Sequence, residues 1–376
     1  MKVLFITNSY LSDNNGGIYA TKAYINAFAL LSESITVVYA KKDGNAPTDI
    51  LEDKVMMVPI EDKRSMPRKF IDLCFGIVNR FQKSIFKYID PKEYETVVFN
   101  NSDVSSRVIK KFKELGLRTI TIHHNYQIEY LRGDCSAITM VPTLFWTYIY
   151  ERQAVKYSDI NLTLTNEDVN LLTQHYGTSR YGVIGVFEFK SFQKKAYTNE
   201  PRGHRYVITG WLGSKQTEDS LIPWIKTYYP ILKEVDPLAE LTIAGKAPSV
   251  TLCSLAKANG IDVIASPIEM QPILDMADYY ICPTDRGGGL KLRNMDGLKS
   301  GLPVLTHIVS ARGYEFMQKK GVIQTYYDPD TFRNGIRNLL SCKKSKMDIL
   351  QDYRDYYSLE GGTKRLKSIL SVVNIK

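Results

Sequence analysis

The sequence predicts an α/β protein of two doubly wound parallel-sheet units, and three observations predict it. Strand-like and helix-like segments alternate from end to end, the pattern of parallel strands joined by crossover helices. The chain has 376 residues, more than a single core of ordinary size organises. Near the middle, residues 181–205 begin strand-like, then turn polar and lose their periodicity, as linkers do.

Taken in order, the first half offers KVLFIT, ITVVYA, KVMMVPI, ETVVFN, RTITIH and INLTLT as buried strands. The second offers YVITG, AELTIAG, IDVIAS, DYYICP, LPVLTH and VIQTYY. These runs are apolar and short, as strands covered on both faces are. Helical patterns lie between most of them. Examples are IYATKAYINAFALL after the first strand, SLIPWIKTYYPILKEV, and DTFRNGIRNLLS. The expected domains are residues 1–186 and 204–356, with a terminal helix over 359–376 returning to pack on the first.

Bulk properties narrow the function. Apolar residues make up 44% and charged residues 24%, as in a globular enzyme. No run of about eighteen apolar residues occurs, so no spanning helix is expected, and the N-terminus reads as a first strand rather than a secretory signal. Five cysteines are scattered without a CxxC or CxxH pair. That argues against a disulfide framework or zinc site and fits a reducing cytoplasm. The net charge of +9 suits nucleic acid, an anionic membrane or a phosphorylated small molecule. The basic residues are spread out and form no stripe with interleaved aromatics, so nucleic acid is the least favoured.

The densest stretch is PTDRGGGLKLRNMDGLKSGLPV, residues 283–304. A strand ends at Pro283, glycines 287, 288 and 289 follow, and a helix is expected from about Lys291. Bare backbone before a helix lets N–H groups approach an anion. Lys291 and Arg293 fall in the expected first turn, where cations are disfavoured beside the helix dipole unless an anion is bound. A diphosphate fits, and Asp296 could accept hydrogen bonds from a ribose diol. The competing reading is a flexible turn before a solvated helix. Neither GxxxxGK[ST] nor GxGxxG is present.

This stretch resembles the nucleotide-sugar loop of GT-B glycosyltransferases of the retaining family 4 type. Gly287, Gly288, Gly289, Arg293, Gly301 and Pro303 match its form. Asp296 stands where the family has a ribose-binding Glu, and the other Glu of its E-x7-E pattern falls at Gly288 and is missing. The resemblance runs from Tyr206 to about Asp328 and more loosely over the first half. It includes SARGYE, which resembles a loop that closes over the diphosphate and contributes Arg312 and Gly313.

In the first half, Gly16 and Gly17 open a helix after NSYLSDNN. Read alone, that is a turn and a helix start; in the family the matching loop lies against the donor phosphates. TITIHHNYQIEYLRGD places His123 and His124 at a parallel strand's carboxyl end, where α/β ligands bind, although paired histidines are also often structural. The family often has HN followed by an acid, and His124, Asn125 and Glu129 match that form. By analogy His124 faces the donor sugar or an acceptor hydroxyl.

Two amphiphilic stretches stay ambiguous. Residues 63–87 carry seven Lys or Arg and one acid, Asp72. Phe70, Leu73, Cys74, Ile77, Phe81 and Ile85 recur at helical spacing. A core helix with a solvated basic face is favoured over a helix on an anionic membrane. In VPTLFWTYIYERQ, Phe145, Trp146, Tyr148 and Tyr150 could be core, lipid contact or a sugar platform.

The resemblance therefore implies a GT-B fold, two Rossmann-like domains facing a central cleft. It implies a transferase that moves a sugar with retention from a nucleotide diphosphate sugar to a lipid-linked or glycan acceptor, in cell-surface polysaccharide or glycoconjugate assembly. The cysteine pattern places it in the cytoplasm, peripheral on the inner membrane face if the basic run binds lipid. No metal or other cofactor is needed if the glycine loop, Lys291, Arg293 and Lys215 neutralise the leaving diphosphate. A catalytically silent subunit of the same fold, and a sugar-nucleotide epimerase, remain open at this point.

Overall fold

The computed structural model describes residues 1–13, 15–41, 47–132, 137–191, 202–287 and 290–371. The chain divides into two compact units, Met1–Phe192 with Tyr357–Lys376, and Gln193–Tyr356.

The first unit holds β1 (Lys2–Tyr10), β2 (Ser34–Ala40), β3 (Val55–Ile60), β4 (Thr96–Asn100), β5 (Arg118–His123), β6 (Ile160–Thr163) and β7 (Tyr181–Val183). Its sheet runs β3-β2-β1-β4-β5-β6-β7, every pairing parallel. The second unit holds β8 (Arg205–Trp211), β9 (Glu240–Lys246), β10 (Asp262–Ala265), β11 (Tyr279–Cys282), β12 (Val304–His307) and β13 (Ile323–Tyr326). Its order is β10-β9-β8-β11-β12-β13, again all parallel. In both sheets the order reverses between the first and fourth strands, β1 and β4 or β8 and β11. Chains leave such neighbours in opposite directions, which opens a crevice at their carboxyl ends. Two binding places are thus fixed by topology before any side chain is considered.

The helices that matter here are α1 (Gly16–Leu31), α2 (Met66–Cys74), α3 (Ala137–Tyr157), α4 (Lys215–Thr227), α5 (Arg293–Leu298), α6 (Pro329–Leu340) and α7 (Leu359–Ser371). The start of α6 illustrates how local sequence fixes an end. Asp328 and Thr331 form a reciprocal capping box and Pro329 occupies the first turn, where its missing N–H costs nothing. Its apolar face supplies Phe332 to an aromatic cluster with Trp224, Tyr228 and Tyr326. The helix α7 belongs to the first unit: Arg365 donates to the Ile184 carbonyl at 3.0 Å and Leu370 accepts from Arg118 at 2.9 Å. Residues 372–376 of the expected terminal helix lie outside the described residues.

Three expectations need correction. SLIPWIKTYYPILKEV is not one helix: α4 ends at Thr227 and a second helix covers Tyr229–Val235, because Pro230 has no N–H to continue the ladder. The helix of the glycine stretch starts at Arg293 rather than Lys291 and has only six residues. Its dipole is correspondingly small, and only Arg293 meets its first turn.

The third correction concerns residues 63–87. They form α2, a turn, and a short helix Phe81–Ser84 leading into Ile85–Lys87. Phe81 and Ile85 are core residues, as expected. The helix α2 is not a core helix. Its only buried residue is the acid Asp72, paired with Arg64 at 3.0 Å and Arg68 at 3.3 Å. Met66, Phe70 and Ile71 are exposed, as is Phe75 just after it. The ion pairs turn the polar side inward and leave the apolar face outward.

Candidate functional site

In the second unit the crevice lies at the ends of β8 and β11. After β8 the chain turns through Gly213 to Ser214, whose side chain caps α4 by accepting from the Thr217 N–H. Lys215, the first residue of α4, is exposed. After β11, Pro283 and Thr284 lead into the glycine loop. Gly288 and Gly289 lie outside the described residues. Gly287 has φ +87°, and a Cβ there would come within 2.3 Å of the Gln216 amide and 2.8 Å of the Lys291 ammonium. A side chain fits neither that backbone conformation nor that space.

Arg293 lies across the end of β8. Its guanidinium donates to Thr284 Oγ1 at 3.2 Å and Thr217 Oγ1 at 2.5 Å, which links the loop after β11 to the start of α4. Gly210 makes the room: its φ is +150°, and a Cβ there would sit 2.7 Å from the guanidinium carbon. Lys291 is held beside it, its carbonyl accepting from the Tyr314 hydroxyl at 2.8 Å. Burial lowers the Lys291 ammonium below its usual pKa, and the charges of Arg293 and Arg312 lower it further. Three cations therefore repel one another in one partly desolvated place. An anion of high charge relieves that repulsion.

The remaining loop residues are tied together through backbone. Buried Asn294 donates to the Ser310 carbonyl at 2.6 Å, and Ser310 Oγ donates to the Thr284 carbonyl at 2.5 Å. Arg312 and Gly313 follow in the turn after β12; Gly313 has φ +83° and donates to Glu315 at 3.1 Å. Asp296 is partly exposed and pairs with Lys299 at 3.1 Å.

In the first unit Asn15 caps α1, accepting from the Ile18 N–H at 3.1 Å. Gly16 and Gly17 are the first two residues of that helix, the positions whose N–H groups have no partner inside it. The two histidines diverge. His123 ends β5, is buried, and meets Asn161 Oδ1 at 2.9 Å. His124 lies just beyond and meets Asn100 Oδ1 at 2.7 Å, with its ring edge-on to Tyr24 at 5.8 Å.

The network around His124 fixes its tautomer. Asn100 Nδ2 donates to Thr7 and Thr21, so Asn100 Oδ1 is the acceptor and His124 Nε2 carries the hydrogen. Thr21 in turn donates to the Gly17 carbonyl at 2.8 Å, which joins the histidine to the glycine turn. Burial, then the neighbouring His123, pushes the His124 imidazole down to about 4. The ring is neutral at pH 7, with its Nδ1 lone pair available as an acceptor. Asn125, next in the chain, keeps a buried Oδ1 without a hydrogen-bond partner, whereas Glu129 is exposed on the next helix. Of the aromatic run on α3, Tyr150 is buried, while Phe145 and Tyr148 are exposed.

Sequence reasoning did not find Gly210, Thr217, Thr284 or Asn100. Gly210 closes a strand that reads as ordinary, and Thr217 and Thr284 matter only because Arg293 reaches them. The cue for Asn100 was the polar residue ending an otherwise apolar fourth strand, at the topological reversal.

No family model matches the chain. A relative from Klebsiella pneumoniae, described as an uncharacterized 44.6 kDa protein in the cps region, is 32% identical over 239 residues. The match spans 59% of this chain and 59% of that relative, less than two thirds of its length. Among solved structures, sucrose-phosphate synthase from Thermosynechococcus elongatus superposes with a TM-score of 0.66 at 11% identity, covering 99% of this chain and 98% of that one. An E. coli structure described as trehalose-6-phosphate bound with UDP-2-fluoro glucose gives 0.62 at 9% identity, covering 100% and 99%. At such identities the likeness is one of fold. The structural neighbours are GT-B glycosyltransferases, and this chain has the GT-B fold, two parallel-sheet α/β units in sequence.

Proposed function

We propose that this chain is a retaining glycosyltransferase of the family 4 type. It moves a sugar from a nucleotide diphosphate sugar to a hydroxyl of a lipid-linked or glycan acceptor in cell-surface polysaccharide or glycoconjugate assembly. The observation that carries the reading is the gathering of Lys291, Arg293 and Arg312 at the carboxyl ends of the second sheet, with burial lowering the lysine. Such a place suits a diphosphate, whose charge grows as the glycosidic bond breaks. The cps-region relative supports the polysaccharide setting, and the UDP-fluoroglucose title of one structural neighbour supports the donor class.

In this reading the bond from the anomeric carbon to the diphosphate oxygen breaks, and the acceptor oxygen bonds to that carbon on the same face. The acceptor's proton passes to the departing phosphate oxygen. Arg293, Lys291 and Arg312 offset the leaving charge, with Lys215 and the glycine loop supplementing them, and no metal is assigned to the task. Gly16 and Gly17 offer the N–H groups of a helix N-terminus to an anion such as a phosphate. Asp296 takes the ribose diol, and Gly313 lets its loop turn closely over the diphosphate. His124, neutral and accepting through Nδ1, holds a hydroxyl of the transferring sugar, beside Asn125 and Glu129 on the acceptor side. The protein works in the cytoplasm, peripheral to the membrane.

A thermal-shift panel of nucleotide diphosphate sugars tests the proposal, because a ligand bound only by the folded state raises the melting temperature by mass action. One donor should stand out, and the bare nucleoside diphosphate should share most of its effect. A flat panel would contradict the reading.

A further inference from the structure

The first unit contains a cavity of about 600 Å³, within the range of small-molecule sites. It lies at the reversal between β1 and β4 and has three different surfaces. The floor comes from the strand ends: Asn8, Asn101 and Asp103. Asn8 and Asn101 each bury a side-chain oxygen with no hydrogen-bond partner. Asn101 holds φ +90°, a strained conformation for a residue with a Cβ, of the kind that clusters at ligand sites. Asp103 accepts from Asn8, and burial pushes its carboxyl up to about 6. The floor thus presents two amide oxygens without donors, beside a carboxyl already held by Asn8.

One wall is α2, which contributes Met66, Phe70 and Leu73. Their spacing of four and three places them on one helix face. The facing wall is α3, which contributes Thr139, Thr143 and Thr147 at intervals of four. Two of the basic residues lining the cavity are matched by acids: Arg64 pairs with Asp62 at 2.8 Å and Asp72 at 3.0 Å, and Lys69 lies 3.8 Å from Asp62. The third, Arg80, donates to the Ile60 carbonyl at 3.1 Å and the Tyr10 hydroxyl at 3.0 Å and keeps a buried Nε without a hydrogen-bond partner. The lining thus holds both orphan acceptors, on Asn8 and Asn101, and an orphan donor, on Arg80. Hydroxyl groups, which donate and accept, suit that end, and an apolar body suits the other.

We propose that this cavity holds the acceptor and that the acceptor is a glycolipid. Its sugar hydroxyls donate to Asn8, Asn101 and Asp103, and its apolar chain lies along Met66, Phe70 and Leu73. The inference rests on the glycosyl-transfer reading above and narrows it, from a lipid-linked or glycan acceptor to one whose lipid is itself bound by the enzyme. The inverted burial of α2 has a use in this account: its ion-paired Asp72 holds the helix in place while its apolar face remains free for the chain.

The test uses the full chain and monomeric octyl β-glucoside, kept below its micelle-forming concentration, with binding followed by calorimetry. Octyl glucoside should bind at least tenfold more tightly than glucose. Asp103→Ala should weaken it at least fivefold. Phe70→Ser, at a position exposed enough to tolerate the change, should weaken it by a similar factor while leaving circular dichroism and nucleoside diphosphate affinity unaltered. Equal affinities for glucose and octyl glucoside, or octyl glucoside binding indifferent to both substitutions, would overturn the inference. Sedimentation with phosphatidylcholine vesicles without any binding of monomeric octyl glucoside would overturn it too, and would make α2 a membrane contact. Octyl glucoside decides this inference whatever the nucleotide panel shows, and the panel decides the transfer reading.

Discussion

Arg293 and Gly210 form a pair whose coupling can be worked out from the structure. Arg293→Ala removes a charge and two hydrogen bonds, to Thr284 and Thr217. A hydrogen bond to a charged group is worth about 1.5–3 kcal/mol, so nucleoside diphosphate affinity should fall roughly 10- to 150-fold at about 1.4 kcal/mol per decade. Gly210→Ala keeps the charge but sets a Cβ 2.7 Å from the guanidinium carbon, and so must push Arg293 aside. Its effect on binding should therefore act through Arg293. Isothermal calorimetry on the two single variants and the double variant forms a cycle with a coupling within about 0.5–3 kcal/mol. In the Arg293→Ala background, Gly210→Ala should cost little further affinity. Unchanged affinity in a folded Arg293→Ala protein would refute the assignment of the diphosphate to this place. Strictly additive losses would refute the role given to Gly210.

Asp296→Asn should reduce affinity for a ribonucleoside diphosphate far more than for its 2′,3′-dideoxy analogue; equal losses would remove Asp296 from the diol. His124→Ala should lower turnover by about 10²-fold or more and leave nucleoside diphosphate binding intact, while His123→Ala should affect stability more than rate; the reverse pattern in steady-state kinetics would contradict the orientation of the two rings. Burial holds His123 and His124 down at about 4, against the usual 6.5. The unfolded chain therefore binds more protons between those values, and unfolding free energy should fall as pH drops from about 6.5 to about 4. Urea titrations at pH 7 and pH 5 should show a smaller fall for His123→Asn, and an identical fall would count against burial as the cause. The basic surface around α2 should carry the protein down with anionic vesicles at low ionic strength and release it with salt; no sedimentation at low salt would confine α2 to the cavity.

Twelve of the thirteen described strands were legible, because parallel strands covered on both faces must be apolar throughout, and runs such as TVVFN and YYIC admit few other readings; β7, Tyr181–Val183, showed only as the strand-like start of the linker. The cationic loop was legible for a related reason: glycines beside Lys291 and Arg293 conflict with ordinary packing unless something anionic is held there. Helix ends were read less well. The start of α5 moved from Lys291 to Arg293 because loop geometry, rather than propensity, decides where the first turn closes. The helix α2 misled most. Its periodicity is real, but periodicity gives a face and not the direction in which that face points. Asp72, the lone acid among basic residues, was the available signal, since its pairing with Arg64 and Arg68 reverses the helix. The residues framing Arg293 were out of reach for another reason: Gly210, Thr217 and Thr284 acquire meaning only when strands distant in sequence end side by side.

The central claim is sugar transfer with retention from a nucleotide diphosphate donor, supported by a cationic place for the diphosphate. The most direct measurement is proton NMR of the reaction in real time, with the donor selected by the thermal-shift panel and octyl β-glucoside as acceptor. The account predicts release of nucleoside diphosphate together with a new glycoside whose anomeric coupling matches the configuration in the donor, and loss of both signals in the Arg293→Ala protein. A product of opposite anomeric configuration would contradict retention. Turnover of donor into an isomeric nucleotide sugar with no acceptor consumed, or no turnover by a protein that binds both ligands, would contradict the claim of transfer.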